Sequence, residues 1–550
     1  MSLTRQVVLL LLLIGSGLST PAQSTIPAEE ATLSQEELIE AGKQIYLHGS
    51  LPGGASITAM VRKDVALQGS QYACANCHRR SGIGSSEGGD LVPPVIGPSL
   101  FAPRVAELHA QYPLGGMHNE TRPAYTTETL GRALREGIDP AGRLLSPLMP
   151  RFVLNDNEVV ALSSYLASLT VALPPGINAR EIHFATIATP GDDAARAAML
   201  DVFTKFFRVK NAGTRSELKR AQYAPFQKQW AYESYRLWKL HVWDLKGPEQ
   251  NWPDQLKAFY AKQPVFAVIG GVGNGNWLPV HRFCEKQELP CILPQIALPP
   301  EHADNDFYSV YFSHGVELEA MTLGNILSAT YQAPRTVVQV LRDTPEAHAA
   351  ADTLRHAMAA QGNITLKDVV LKEGQTTSVE FWSRLAADYN HSPWVLWLGD
   401  GDLKSLDSSA AAQPSAIYLS ATLQRDITTL QQHPLHQRFT LLSPYQPPGS
   451  EHNTPRFSSW AHLRKLPVSN LHIQSSSFLA VTLAGESLKH MHGNFSREYF
   501  IERMEHMMDN MINPSLYPRL SLAPGQRFAS KGCYVWEMDK RFETAKWVVP

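Results

Sequence analysis

Cys74-Ala75-Asn76-Cys77-His78 sets two thiols three positions apart and an imidazole directly after the second. Thiols so spaced can each form a thioether to one edge of a porphyrin, while the histidine is held beneath the iron as an axial ligand. The pentapeptide therefore reads as a covalent attachment site for one haem c. A thioredoxin-like redox pair would need its C-x-x-C after a strand of a βαβ unit. Here the flanks are a loop rich in Gly, Ser and Arg, and the next residue is histidine. A second feature lies far downstream, where the apolar run Phe266-Ala267-Val268-Ile269 enters Gly270-Gly271-Val272-Gly273-Asn274-Gly275-Asn276 and then a helical stretch from Trp277. Free backbone N–H groups in such a turn, the positive end of the helix dipole and the Asn side chains can together hold a carboxylate or another anion. The alternative is a strand-to-helix turn whose glycines only satisfy backbone geometry. The glycines lack G-x-G-x-x-G spacing, which argues against a dinucleotide site, and no G-K-[ST] follows, which excludes a P-loop.

Three helices are expected around the first site. Residues 35–48 place Leu38, Ile39, Gly42, Ile45 and Tyr46 on one face, and the small Gly42 permits a close crossing with a partner helix. That partner is expected to start at Leu154-Asn155-Asp156-Asn157-Glu158, where Asn155 and Glu158 have capping-box spacing, and to continue through Val159, Leu162, Tyr165, Leu166 and Leu169. Between them, 127–136 reads as a third helix ended by Gly137.

With these landmarks, residues 34–170 resemble a class I cytochrome c. The resemblance implies an all-α domain with a methionine as sixth iron ligand in a loop just before the last helix. Met149, in Ser146-Pro147-Leu148-Met149-Pro150-Arg151, occupies that place. Met60 and Met117 are the alternatives. The resemblance also implies a proline carbonyl accepting a hydrogen bond from the axial histidine, a role that falls to Pro98 in Gly97-Pro98-Ser99-Leu100. This segment lies further from His78 than is usual, after an insertion containing Gly88-Gly89-Asp90. His78 and Met149 together fill the iron's coordination, which implies one-electron transfer through the haem edge with a redox protein as partner.

Residues 171–178, with Pro174-Pro175-Gly176, read as a linker. Beyond it, short apolar runs alternate with helical stretches in two series, the first from 182 to 296 and the second from 336 to 398, which implies parallel α/β sheets in two lobes. Residues 181–547 resemble the type I periplasmic binding proteins, a group that includes receptors for branched-chain amino acids. The resemblance implies a ligand cleft between lobes, with Gly273, Asn274, Gly275, Asn276, Gln295, Ser313 and Asp400 as candidate contacts at strand ends. It also implies three crossings between lobes, near 307–313, 441–445 and 516–520, and an amino acid or carboxylate as ligand.

The first residues carry Arg5, an apolar run from Val7 to Ile14 and small residues to Ser24, the pattern of a signal peptide over 1–24 cleaved near Ser24. That run is too short to span a bilayer, so a soluble, periplasmic mature chain is expected. The 49 Lys and Arg nearly balance the 51 Asp and Glu, so no overall field marks the chain as a binder of nucleic acid. Cys284 and Cys291 can pair in an oxidising compartment, leaving Cys533 odd, although sequence alone establishes no connectivity. The segment His490-Met491-His492 and the helical face Met504, Met508 and Met511 admit a copper site, with core packing the commoner reason for such a face. The sequence thus describes a multi-domain chain, an all-α cytochrome c domain followed by a two-lobed binding module. Three functions compete: an electron carrier whose second module recruits a ligand or partner, a transport receptor with an appended cytochrome, and an oxidoreductase with its active site in the cleft. No Ser/His/Asp order, H-E-x-x-H or second C-x-x-C-H supports the third.

Overall fold

The computed structural model describes residues 33–550 apart from 62–64, 88–89, 105–120, 171, 224–235, 302, 304–305, 408–409, 411–412, 425–426, 448–453 and 492. The expected signal peptide, Met117 and His492 lie outside the described residues.

The N-terminal part is built on the crossing of Gln35–His48 with Asp156–Ser168. Both helices start with a capping box, Ser34 with Glu37 and Asn155 with Glu158, which satisfies backbone N–H groups that the first turn leaves without partners. Their contact depends on Gly42, where an added Cβ would lie 2.1 Å from the Ala161 carbonyl oxygen. Beside this contact the Tyr46 and Tyr165 rings meet at 5.3 Å. The third helix, Thr127–Arg135, ends before Gly137, which adopts a left-handed φ of 76°. These helices enclose a core of Ile45, Leu130, Leu134 and Leu162, separate from those of the rest of the chain.

This part is not all-α. Thr58–Val61 pairs antiparallel with both Val65–Gln68 and Arg151–Val153, and Ser85–Glu87 forms a hairpin with Asp90–Val92. The expectation missed them because strands of three or four residues give no periodic signal of their own. They pack on the helical core through Ala59 and Phe152, which are buried, while Val153 on the opposite face is exposed.

The first lobe is a seven-stranded parallel sheet centred on Glu181–Ala188, flanked by Leu237–Asp244 on one side and Ala267–Ile269, Cys291–Ile292 and Ser309–Val310 on the other. The short strands Val272–Gly273 and Gln295–Ile296 extend it toward the second lobe. The second lobe has seven strands. Ile364–Leu371, Arg335–Arg342, Trp394–Trp397, Ile417–Ser420 and Phe439–Ser443 run parallel, while Cys533–Glu537 and Lys546–Val548 are antiparallel. The helix Asp193–Tyr223 is much longer than the stretch near 194–207 that the sequence suggests. The chain passes from the first lobe to the second through 311–315. After Phe439–Ser443 it returns to lay Leu471–Lys489 and Arg497–Asn510 against the first, where Phe478 meets Phe206 and Phe500 meets Phe266. It crosses once more to supply Cys533–Glu537, and a bridge between Tyr311 and Phe528 ties the first crossing to the last.

Cys284 and Cys291 form a disulfide, with Cα atoms 6.2 Å apart, while Cys533 is buried and free. Met491, Met504 and Met508 are buried in the large apolar core, which accounts for the methionine face by packing.

The N-terminal part docks on the first lobe by polar contacts. Arg497, the first residue of its helix, donates to the carbonyls of Gln287, Glu288, Pro175 and Val265 at 2.7 to 3.3 Å and so binds the linker to the lobe. One turn on, Glu502 takes Ser81 N at 2.8 Å and meets Ser81 Oγ at 2.6 Å, three residues after His78. Arg80 lies 4.7 Å over the Phe307 ring, which also faces Arg527, and Lys43 pairs with Glu288 at 2.9 Å.

Burial, reinforced by the nearby Glu505 and Glu498 carboxylates, pushes Glu502 up to about 8 from an ordinary value of 4.5. Between those two values the folded chain holds a proton that the unfolded chain has released. This contribution to stability is therefore full below about pH 4.5 and is lost as pH rises through about 8. Glu319 in the second lobe, also raised to about 8 by burial, acts with the same sign. In Glu502→Gln the amide oxygen accepts from Ser81 N and the amide N–H donates to Ser81 Oγ, reproducing the protonated carboxyl. Thermal unfolding midpoints at pH 6 and pH 9 are expected to fall less for Glu502→Gln than for wild type; an equal fall would show that Glu502 does not carry the effect.

Candidate functional site

The thiol-bearing turn is a single helical turn, Ala75–His78, entered from Cys74, with His78 N bonded to Cys74 O at 2.9 Å. Asn76 fixes it from outside, its Nδ2 donating to the carbonyls of Ser70 and Gln71. Tyr46 of the first helix donates to Arg79 O at 2.7 Å, tying the end of the turn to the helical core. Cys74 and Cys77 are both free thiols. Burial pushes the Cys74 thiol up to about 12, the opposite of the lowered value that a thiol–disulfide exchange nucleophile requires.

His78 Nδ1 lies 2.9 Å from Pro93 O. A carbonyl can only accept, so Nδ1 carries the proton and Nε2 keeps its lone pair, the tautomer an iron ligand needs. The carbonyl belongs to Pro93, not Pro98. The hairpin formed by Ser85–Glu87 and Asp90–Val92 brings the chain back beside His78, where Gly84 N bonds His78 O at 3.0 Å and Val95 N bonds Gly82 O at 2.7 Å. Gly84 permits this approach, since a Cβ there would lie 2.1 Å from Val92 O. Pro98 instead sits in the first turn of the short helix Gly97–Leu100. Met149 sits in a turn, its N–H bonded to Ser146 O at 3.1 Å and its carbonyl to the Arg151 guanidinium, and its side chain packs on the core cluster that also holds Cys74 and Ala75. Met60 lies in the strand Thr58–Val61. The donor set, two free thiols on one turn and an imidazole with Nδ1 already bonded, fits a covalently held haem.

Between the two lobes lies a cleft of about 430 Å³. Val272, Gly273, Asn274, Gln295 and Ile296 reach it from the strand ends of the first lobe, and Arg342, Glu346, Trp397, Gly399 and Asp402 from the second. The crossings add Phe312, Ser313, Tyr445 and Tyr517, and the start of Leu471–Lys489 adds His472 and Ile473. Of the residues expected from sequence, Gly273, Asn274, Gln295 and Ser313 line the cleft, while Gly275, Asn276 and Asp400 do not. Asp400 opens the short helix Asp400–Leu403, whose Asp402 is the residue that reaches the cleft.

The glycine turn does not offer free amides to an anion. Asn274 N bonds Thr189 Oγ1 at 3.1 Å, Gly275 N bonds Glu346 Oε1 at 2.7 Å, and Asn276 N bonds Glu249 Oε1 at 2.8 Å. The turn does attract carboxylates, as the sequence suggests, but they are the protein's own. Glu249 comes from the same lobe, whereas Glu346 stands on Pro345–Met358 of the second lobe, so its bond to Gly275 closes the cleft at one edge.

The aromatic wall and Gln424 were not legible beforehand. Phe312 stacks on Tyr517 at 4.8 Å and Tyr445 on His472 at 3.9 Å, contacts between segments up to about two hundred positions apart that no local pattern announces. Burial pushes His472 down to about 4, so its ring is neutral near pH 7.

No protein-family model matches the chain, and no curated protein matches it. Solved structures do. A possible leucine/isoleucine/valine-binding protein from Rhodopirellula baltica superposes with a TM-score of 0.50 at 12% identity, over 68% of this chain and 98% of that one. A fatty acid ABC transporter substrate-binding protein from Thermomonospora curvata gives 0.49 at 15% identity, over 69% and 94%. The two-lobed part thus has the fold of type I periplasmic substrate-binding proteins. At this identity the likeness shows the fold alone. No described helix is long and apolar enough to cross a membrane.

If the Gly275–Glu346 bond holds the lobes together, Glu346→Ala is expected to enlarge the radius of gyration of the ligand-free chain in solution scattering. Glu346→Gln keeps an acceptor and is expected to match wild type. Equal radii for all three chains would show that the bond does not hold the closed form.

Proposed function

We propose that this chain is an exported solute receptor that binds a small molecule between its two lobes, and that its N-terminal part carries one haem c. The observation that carries the receptor reading is the cleft itself: two sheets present the ends of their parallel strands to one cavity of about 430 Å³, the size and position at which such sheets take small ligands. Gln295 Oε1, Gln424 Oε1 and His472 Nε2 of its lining are buried without a hydrogen-bond partner in the chain, which supports a polar contact to a ligand there. The disulfide supports export, because such bonds persist in oxidising compartments.

In the N-terminal part, Cys74 and Cys77 would hold the haem by thioethers, and His78 and Met149 would bind its iron. When bound, the group supplies one-electron oxidation and reduction. The chain's own residues orient it. Pro93 fixes the His78 ring, Asn76 and Tyr46 fix the turn, and the exposed Cys77 edge is where a redox protein partner would approach. The receptor reading comes first because the cleft is built from side chains already in place, whereas electron transfer rests on the motif and its fitting donor set.

Two measurements on the purified exported chain test these readings. Tryptophan fluorescence screened against a solute library is expected to change with at least one compound, since Trp397 lines the cleft, and the change is expected to vanish in Trp397→Phe. The absorption spectrum is expected to show a covalent haem that Cys74→Ala/Cys77→Ala loses, and a sulfur-to-iron band that Met149→Ala loses. No responding solute would overturn the receptor reading. A chain exported with haem maturation factors yet without covalent haem would overturn the other.

A further inference from the structure

The polar groups around the cleft are unevenly committed, and this deepens the receptor reading, on which it rests. The guanidinium, the threonine hydroxyls and the glycine-turn amides are in use. Arg342 is held by both carboxylate oxygens of Asp402 and by Gln375 O. Thr422 Oγ1 donates to Glu319 at 2.8 Å and Thr189 Oγ1 to Asn274 O at 3.2 Å. The amides of the glycine turn are occupied as described.

The acceptors are not. Gln424 is 3% exposed; its Nε2 donates to Leu398 O at 2.7 Å, and its Oε1 has no partner. Gln295 Nε2 donates to Ile473 O at 3.0 Å and to Ser477 Oγ at 3.1 Å, and its Oε1 likewise has none. Both amides are oriented by backbone carbonyls, which cannot donate, so neither can be flipped to present its N–H₂ group. A buried carbonyl oxygen without a donor costs free energy that a ligand N–H or O–H would recover.

The charges point the same way. Asp402 is matched by Arg342, which leaves Asp192 and Glu346 as carboxylates of the lining with no cation of the lining against them. Trp397, Phe312, Tyr445 and Tyr517 offer aromatic surface of the kind that attracts organic cations.

We infer that the cleft takes a small organic cation that donates hydrogen bonds and carries no carboxylate, a primary ammonium compound, with Gln424 and Gln295 as its acceptors. A free carboxylate would meet the Asp192 and Glu346 carboxylates, and the one guanidinium of the lining, Arg342, is already paired with Asp402.

Calorimetric titration of the full exported chain with n-butylamine, 1,4-diaminobutane, butyrate, L-valine and sorbitol tests this. Saturable binding of either amine is expected, with none of butyrate, L-valine or sorbitol, and Gln424→Leu is expected to weaken it by about tenfold or more, the loss of one buried hydrogen bond to a charged group. Gln295→Leu serves as the second variant if circular dichroism shows that Gln424→Leu is misfolded. Binding of butyrate, L-valine or sorbitol without the amines would overturn the inference and leave the receptor reading standing. Silence with all five probes would overturn the inference too, and the fluorescence screen would then decide the receptor reading separately. Amine binding unaffected by both variants would overturn the assigned acceptors.

Discussion

The Glu285 carboxylate accepts three consecutive backbone N–H groups, those of Phe307, Tyr308 and Ser309, at 2.7 to 3.1 Å. This fixes the edge strand of the first lobe just before the chain leaves for the second. His281, one turn earlier on the same helix, bonds Tyr311 Oη at 2.9 Å and Asp306 at 3.0 Å, so both ends of the segment are held from one helix. His281, Glu285 and Asp306 lie close enough to suggest a metal site, but their bonding to backbone and tyrosine accounts for them as a structural clamp. Seven residues, Phe307 to Ser313, then join the two functional regions. Phe307 lies beneath Arg80 of the thiol-bearing loop, and Phe312 and Ser313 line the cleft.

The same segment explains why the N-terminal part sits where it does. Tyr308 donates to Glu498 at 2.6 Å, and Glu498 shares its helix with Arg497 and Glu502, which hold the linker and Ser81. Residues immediately after His78 and residues leading to the wall of the cleft therefore rest on one helix and one strand. These contacts are buried polar bonds, directional and costly to break, so they fix an orientation that apolar packing alone would leave loosely specified.

The glycine turn illustrates how a site prepared by local chemistry can be taken by the protein. Its amides hold the carboxylates of Glu249 and Glu346, one from each lobe. What remains of the cleft is aromatic, acceptor-rich and negatively charged. The local chemistry of the turn by itself suggested an anion site, which is why a ligand class must be read from the side chains of the folded chain.

Features that depend on neighbours within a few positions could be read from residue order. The capping box of Asn155 and Glu158, the glycine crossing at Gly42, the C-x-x-C-H turn and the alternation of strands and helices were legible because each is a local spacing rule with a local cause. The tertiary structure alone decided which distant groups meet. Pro93 rather than Pro98 reaches His78, because a hairpin of three-residue strands turns the chain back. Glu346, seventy-one positions from Gly275, occupies the amide that the turn alone seemed to offer to a ligand. Gln424 lines the cleft with an unpartnered oxygen because its amide nitrogen is held by the carbonyl of Leu398, on a neighbouring strand end. Hydrogen-bond capacity is written in residue types, but its commitment is settled only when the folded chain brings donors and acceptors to bonding distance, and it is that commitment which shapes the site.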